Sequence, residues 1–304
     1  MMYLEEVAVV LLGVLGAVLA SFMVAQVWRV RARQLESDIA SGDESMATTA
    51  ENKRELAKLA QLLAGKGTHD RSRCLSCAKQ LRWYDLLPVV SWLSVGGKCR
   101  YCRAPIGKTE LLSELLLAVV YVISALVWLH FNPEPTIIDA ALFGAWLLAA
   151  ATLVGLFVYD QKWFLLPDIF MGIFIGLGVV YAGLSLYGSE SLFQDIISLA
   201  GAIGILSGVY LALYLVSKGE WIGFGDVKLG LGLALFLLDW KLAFIALFLA
   251  NFIGCLIVLP GLLTRKLSRT ARVPFGPMLI AGFVITFLAA PWVTNFIEQY
   301  FVIF

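Results

Sequence analysis

Apolar residues run almost unbroken over about residues 6–28, 111–130, 137–159, 169–187, 196–217, 226–238, 242–263 and 275–297, with short polar or turn-forming clusters between most of them. A hydrocarbon core about 30 Å thick takes roughly 20 helical residues at 1.5 Å each, so the pattern predicts about eight transmembrane helices and an all-α polytopic fold. The sixth run is the shortest, and Asp239-Trp240-Lys241 behind it leaves little room for a loop. Residues 226–241 therefore also read as a re-entrant hairpin, with seven or fewer full crossings. Glu5 and Glu6 precede the first run where a cleaved signal would carry basic residues, so that run is expected to be retained as a helix.

The stretch 29–110 breaks the pattern and is long enough for a soluble module. The expected organisation is a first transmembrane helix over 1–28, a linker and cysteine module over 29–110, and a transmembrane domain over 111–304. Residues 34–50, rich in Ser, Asp, Ala and Thr, read as linker. Thr48-x-x-Glu51 has capping-box spacing ahead of Leu56, Leu59, Leu62 and Leu63, which predicts a short amphipathic helix ending near Ala64. That helix suits the membrane surface, the neighbouring module or a solvated spacer. Gly16-x-x-x-Ala20 is a small-residue pattern that favours close helix packing.

Composition agrees with a membrane protein. Of 304 residues, 60% are hydrophobic and 15% charged, against roughly 25% charged in soluble domains. The net charge of +1 points to no nucleic-acid partner; where the charges lie is more informative. Fifteen of the 23 Lys and Arg fall between Arg29 and Lys108, and seven more, Lys162, Lys218, Lys228, Arg265, Lys266, Arg269 and Arg272, fall in loops that eight alternating spans place on the same side. Only Lys241 lies opposite. By the positive-inside rule that side is the cytoplasm, and the amino terminus is outside.

Cys74-Leu-Ser-Cys77 and Cys99-Arg-Tyr-Cys102 are two CxxC knuckles 21 residues apart, close to zinc-ribbon spacing. Each knuckle aims two thiolates at one tetrahedral ion, and the intervening residues can form the strands that bring the pairs together. A pair of disulfides fits the same cysteines but not a reducing cytoplasm. Four thiolates leave no open coordination position, so the zinc is expected to be structural. Cys255, alone in the seventh run, reads as core packing.

Carboxylates near a span cost energy and are functional candidates by default. Asp160 ends the third run, Asp168 opens the fourth and Asp226 opens the sixth, all at the expected cytoplasmic edge. Gly223 and Gly225 strip side-chain bulk from the turn before Asp226, so another backbone can approach it. Two such carboxyls at one depth suit hydrolysis, one taking a proton from water and the other donating to the carbonyl oxygen and then the amine. Asp168 after Pro167 reads better as a helix cap. Plain interfacial anchoring, with Asp160 paired to Lys162 and Asp226 to Lys228, is the alternative; Lys228 otherwise tunes the pair or reaches for headgroups.

Leu81-Arg-Trp-Tyr-Asp-Leu-Leu-Pro-Val-Val-Ser-Trp-Leu93, Gly97-Lys-Cys-Arg-Tyr-Cys102, Tyr159-Asp160 with Leu166-Pro-Asp168, and Gly223-Phe-Gly-Asp226-Val-Lys228 together resemble the type IV prepilin peptidases, membrane proteases of the GxGD aspartic type. The resemblance spans nearly the whole chain. It implies Asp160 and Asp226 as the catalytic pair, with Gly223, Gly225 and Lys228 supporting. It also implies an inner-membrane enzyme that cleaves the basic leader of prepilins and pseudopilins at the cytoplasmic surface, and methylation of the new amino terminus from S-adenosylmethionine. Glu114 stands at the family's Glu position and is the residue the resemblance offers for methyl transfer; an interfacial Glu is the plain alternative. The family's Gly-Ser-Phe-Leu-Asn appears here as Ala20-Ser-Phe-Met-Val24, and its Tyr-Pro as Glu110-Leu111, departures that bear on methylation more than on cleavage. Two other classes stay open, a proton-coupled carrier using the same carboxylates and a scaffold built on the cysteine module. Pilin identity and oligomeric state are not encoded in these motifs.

Overall fold

The computed structural model describes residues 2–41, 50–63, 72–187, 189–265 and 273–301. Among these the regular elements are helices, with two isolated β-bridges and no strand. The chain divides into two compact units, Met1–Val122 and Ile123–Phe304.

In the first unit, α1 (Met2–Ser41) is one continuous helix. It is followed by α2 (Ala50–Leu59), which runs on as a 3-10 turn, Ala60–Leu62. Residues 34–41, expected to begin a linker, are the last turns of α1. Tertiary burial explains the difference. Ala32 and Leu35 are buried on Leu59, with Trp28, Leu56, Leu62, Leu63 and Leu75 around them. Arg31 donates to Glu55 at 3.0 Å across the same joint. The predicted leucine face therefore exists, and its partner is α1 and the first cysteine knuckle. Thr48 of the expected capping box and the expected end at Ala64 lie outside the described residues.

The small-residue pattern in α1 works as anticipated. A Cβ on Gly16 would come within 2.8 Å of the Leu117 carbonyl oxygen, and Ala20 is fully buried. Leu117 belongs to α4 (Thr109–Phe131), which begins in this unit after the five-residue α3 (Val90–Ser94).

The second unit is a bundle of α5 (Ile137–Trp163), α6 (Asp168–Tyr187), α7 (Leu192–Ile203), α8 (Val209–Ser217), α9 (Phe224–Leu237), α10 (Trp240–Leu263) and α11 (Gly276–Phe301). A π turn, Gly204–Gly208, joins α7 to α8 in one 26-residue helix. Among the described residues, seven helices are long and apolar enough to cross a membrane. The eighth expected crossing is α9, whose 14 residues extend about 21 Å, short of a hydrocarbon core.

A short helix at membrane depth is tolerable where protein covers it, and α9 is covered: Val227 and every residue from Leu229 to Leu237 except Leu231 are buried. Leu238, at φ 59, ends it, and Asp239 caps α10 by accepting from the Lys241 N–H, so the turn is as tight as the sequence suggested. Glycines let α6 and α9 touch. A Cβ on Gly232 would lie 2.5 Å from the Phe174 ring, and one on Gly178 would lie 2.9 Å from Leu235. Of the long helices α5 is the most enclosed. The two innermost helices, α5 and α9, carry Asp160 and Asp226.

Candidate functional site

Asp160 lies in the last turn of α5. Phe164, in the left-handed region at φ 55, stops that helix with its N–H on the Asp160 carbonyl. The reversal leads through Leu165-Leu166-Pro167 into α6. Asp226 is the third residue of α9, capped by Gly223 in extended conformation. Both α6 and α11 pack against α5 and against α9, and through them the two aspartates converge until Asp226 lies within Coulombic reach of Asp160.

Each carboxyl faces a helix amino terminus. Asp226 occupies the first turn of its own helix and accepts from the Gly223 N–H. Asp160 is met by Gly276, the first residue of α11, whose N–H is directed at its carboxyl. Asp160 is 6% exposed, and its Oδ2 has no hydrogen-bond partner. A buried carboxyl oxygen left unpaired is an atom waiting for a proton, a water or a substrate group.

The two glycines before Asp226 do different work. Gly225 makes room for Leu166, which a Cβ would meet at 3.1 Å. At Gly223 the nearest atoms to a Cβ, at 3.9 and 4.0 Å, are the Gly225 nitrogen and Asp226 Oδ2, so the ground beside that carboxyl is open. Lys228 does not pair with Asp226. It reaches across to Asp168 at the start of α6, at 2.6 Å, with Phe224 under its ammonium. The pair ties α9 to α6 and leaves Asp226 out of that ion pair.

Sequence reasoning missed Gly276 and Tyr210. A Cβ on Gly276 would lie 2.6 Å from Asp160 Oδ2. The visible trace was Pro274-Phe275-Gly276-Pro277, a glycine set between prolines at a helix start. Tyr210, buried with an unpartnered hydroxyl, feels the charge of Asp226 and left no sequence signal.

A cavity of about 290 Å³ lies elsewhere in the bundle, lined by Trp128, Phe143, Trp146, Tyr181, Phe236 and Phe287 among others. It includes Asp139, 21 residues and so about 30 Å along α5 from Asp160. Two of its polar groups pair locally: Trp146 donates to Ser124, and Asp139 accepts from Thr136. It holds none of the site residues.

In the first unit the four thiols of Cys74, Cys77, Cys99 and Cys102 lie within 4.8 Å of one another, and they can hold a metal ion. Cys74 Sγ and Cys102 Sγ are 3.8 Å apart, close to the edge of a tetrahedron with metal–sulfur bonds of about 2.3 Å. The knuckles are built alike. Arg73 bridges to Gln80 and Lys98 to Pro105, while Ala78 and Arg103, each just after the second cysteine, sit at φ 59 and 61. The residues between the knuckles are helical, a 3-10 turn at Trp83–Leu86 followed by α3, where the spacing also allowed strands. Asp85 holds that segment to the second knuckle. Burial alone would raise its pKa, but hydrogen bonds from Arg100, the Arg82 N–H and Tyr101 outweigh it and hold the carboxyl below its usual value. Burial pushes the Cys74 thiol up to about 12. Cys99 is drawn down to about 7, because N–H groups of Cys102 and Tyr101 overcome the burial that opposes ionisation.

Glu114 is buried on α4, where it accepts from the Val89 N–H at 2.7 Å and from Ser21. Val89 has φ 60 and ψ −53, a strained backbone for a β-branched residue. The carboxylate thus anchors a strained point of the chain between the knuckles.

These features define a class, a polytopic helical membrane protein with a paired-carboxyl site in one unit and a four-cysteine cluster in the other. The chain belongs to the type IV leader peptidase family. That family's model matches residues 141–259, and the bacterial peptidase A24 N-terminal domain matches residues 14–128. A prepilin leader peptidase/N-methyltransferase of Dichelobacter nodosus is 35% identical over 71% of this chain and 70% of its own. The type 4 prepilin-like proteins leader peptide-processing enzyme of Escherichia coli O78:H11 is 32% identical over 71% and 74%. The prepilin leader peptidase/N-methyltransferase of Pseudomonas aeruginosa is 31% identical over 70% of each chain. No solved structure matches.

Proposed function

We propose that this protein is an inner-membrane aspartic endopeptidase that removes the leader of type IV prepilins and pseudopilins at the cytoplasmic surface, with Asp160 and Asp226 as its catalytic pair. The observation that carries the proposal is the convergence of these two carboxyls from separate helices, one with a buried oxygen lacking any partner. Two carboxyls within Coulombic reach do not both ionise cheaply, so the pair holds one proton between them. The ionised member takes a proton from water as it attacks the scissile carbonyl carbon. The protonated member donates to the carbonyl oxygen. Collapse of the tetrahedral intermediate then returns a proton to the leaving amine. The open ground beside Gly223 is where an extended substrate backbone approaches Asp226. A prepilin, with a basic leader in water and an apolar helix in the bilayer, presents its scissile bond at the depth of the positively flanked span ends.

The cysteine cluster is assigned as a structural zinc site; tetrahedral spacing and four thiols favour that ion. N-methylation is the second activity, supported by the resemblance. Glu110 Oε2, buried without a partner one turn before Glu114, is an acceptor that an ammonium or hydroxyl of S-adenosylmethionine fits. Bound there, that cofactor supplies the methyl group.

Incubating the purified protein with a prepilin and determining the mass and amino-terminal sequence of both products tests the reading. A single cut after the leader is expected, with an added methyl when S-adenosylmethionine is supplied. Intact prepilin together with ion-coupled uptake into proteoliposomes would favour the carrier instead.

A further inference from the structure

Among the described residues of the bundle, a buried polar group that the proposed mechanism does not use is the Tyr210 hydroxyl. The residue is 4% exposed, and its oxygen is buried with no hydrogen-bond partner. A phenylalanine would fill the same space without stranding a donor, and buried polar groups left unpaired in a folded interior call for a reason.

The surroundings supply one. Tyr210 lies within reach of the charge of Asp226. Its ring packs at 5.7 Å on Phe275, the residue before Gly276, which meets the Asp160 carboxyl. The tyrosine therefore lies beside Asp226 and packs on the segment that presents Gly276 to Asp160. Its position depends on the π turn Gly204–Gly208, which inserts an extra residue per turn and so rotates everything after it relative to an unbroken α-helix. Such turns recur at functional sites. This one is locked onto α9: the Ser207 hydroxyl donates to the Val227 carbonyl, one residue past Asp226, at 3.0 Å. Gly230 admits the Leu206 carbonyl so closely that a Cβ would lie 2.0 Å from its oxygen.

We infer that Tyr210 is a positioning residue of the peptidase site, its phenol O–H donating to the Asp226 carboxylate through the attacking water and so orienting both. The inference rests on the assignment of Asp160 and Asp226 as the catalytic pair.

The test compares Tyr210→Phe, Asp226→Asn and wild type on one prepilin. Tyr210→Phe keeps the ring and its packing, so a purely structural role predicts wild-type turnover. The positioning role predicts kcat lower by about 100-fold, the low end of the usual range for a positioned proton-transfer group, with KM within about twofold and an unchanged or higher melting temperature, since the lost hydroxyl had no partner. 3-Fluorotyrosine at position 210 keeps the donor and is expected to restore most of kcat; it also serves as the probe should Tyr210→Phe fail to fold. Wild-type kcat in Tyr210→Phe, or no recovery with fluorotyrosine, overturns the inference. If Asp226→Asn retains activity, the underlying assignment fails instead.

Discussion

Alanine at Gly276 is the sharpest probe of how the fold presents Asp160. Its Cβ would lie 2.6 Å from Oδ2 and 3.2 Å from Cγ of the aspartate. Ordinary carbon–oxygen contact begins near 3.3 Å, so the carboxyl or the start of α11 must yield by about 0.7 Å. A misplacement of 1 Å at a reacting group costs on the order of 100-fold. Scaled logarithmically, the displacement here predicts kcat lower by roughly 25-fold. The protein should remain folded, because Gly276 is a helical residue with an ordinary φ and alanine is the better helix former by up to about 1 kcal/mol. The assay is initial-rate cleavage of a prepilin in detergent micelles, beside a thermal melt. Gly144→Ala on α5 is the control: nothing lies within 4 Å of its Cβ, and wild-type kinetics are expected. Wild-type kcat in Gly276→Ala would refute the placement of Asp160 against α11.

Two further outcomes concern the scaffold and the cysteine cluster. Gly230→Ala drives a Cβ to 2.0 Å from the Leu206 carbonyl oxygen, a backbone atom that cannot rotate away, and is expected to cost about 3 kcal/mol or more, read as a lowered melting temperature or loss of folded protein. Elemental analysis of the purified protein is expected to find about one zinc per chain, and Cys99→Ser to lose most of it. Because thiolates bind the ion and thiols do not, zinc should be released as pH falls, with protons taken up; retention of zinc by the serine variant would contradict the four-thiol site.

Much of this architecture was legible in the residues. Hydropathy alone located the long helices, since a bilayer imposes both length and apolarity on a span. Cysteine spacing revealed the cluster, and Gly16 and Ala20 predicted a close helix approach that the Leu117 contact bears out. Asp160 and Asp226 stood out because a carboxyl beside an apolar run is costly unless it is used. What escaped depended on partners distant in the chain. Residues 34–41 look like linker until Leu35 and Ala32 are seen against Leu59. The segment between the knuckles was open to strand formation, yet it folds as helical turns pinned by Asp85 and by Glu114 at Val89. Gly276 and Tyr210 acquire meaning only through the aspartates they adjoin, which lie 116 and 16 residues away in sequence. Whether α9 crosses the bilayer was left open by the sequence for a related reason: hydropathy registers burial in protein and burial in lipid alike.

Prepilin turnover by Asp160→Asn and Asp226→Asn, each verified as folded by its melting temperature, bears on the central claim most directly. Amide in place of carboxyl preserves shape and removes the titratable proton and the charge. Each variant is predicted to lose at least about 10³-fold in kcat. Turnover near the wild-type rate in either one would contradict a mechanism in which both carboxyls handle the proton.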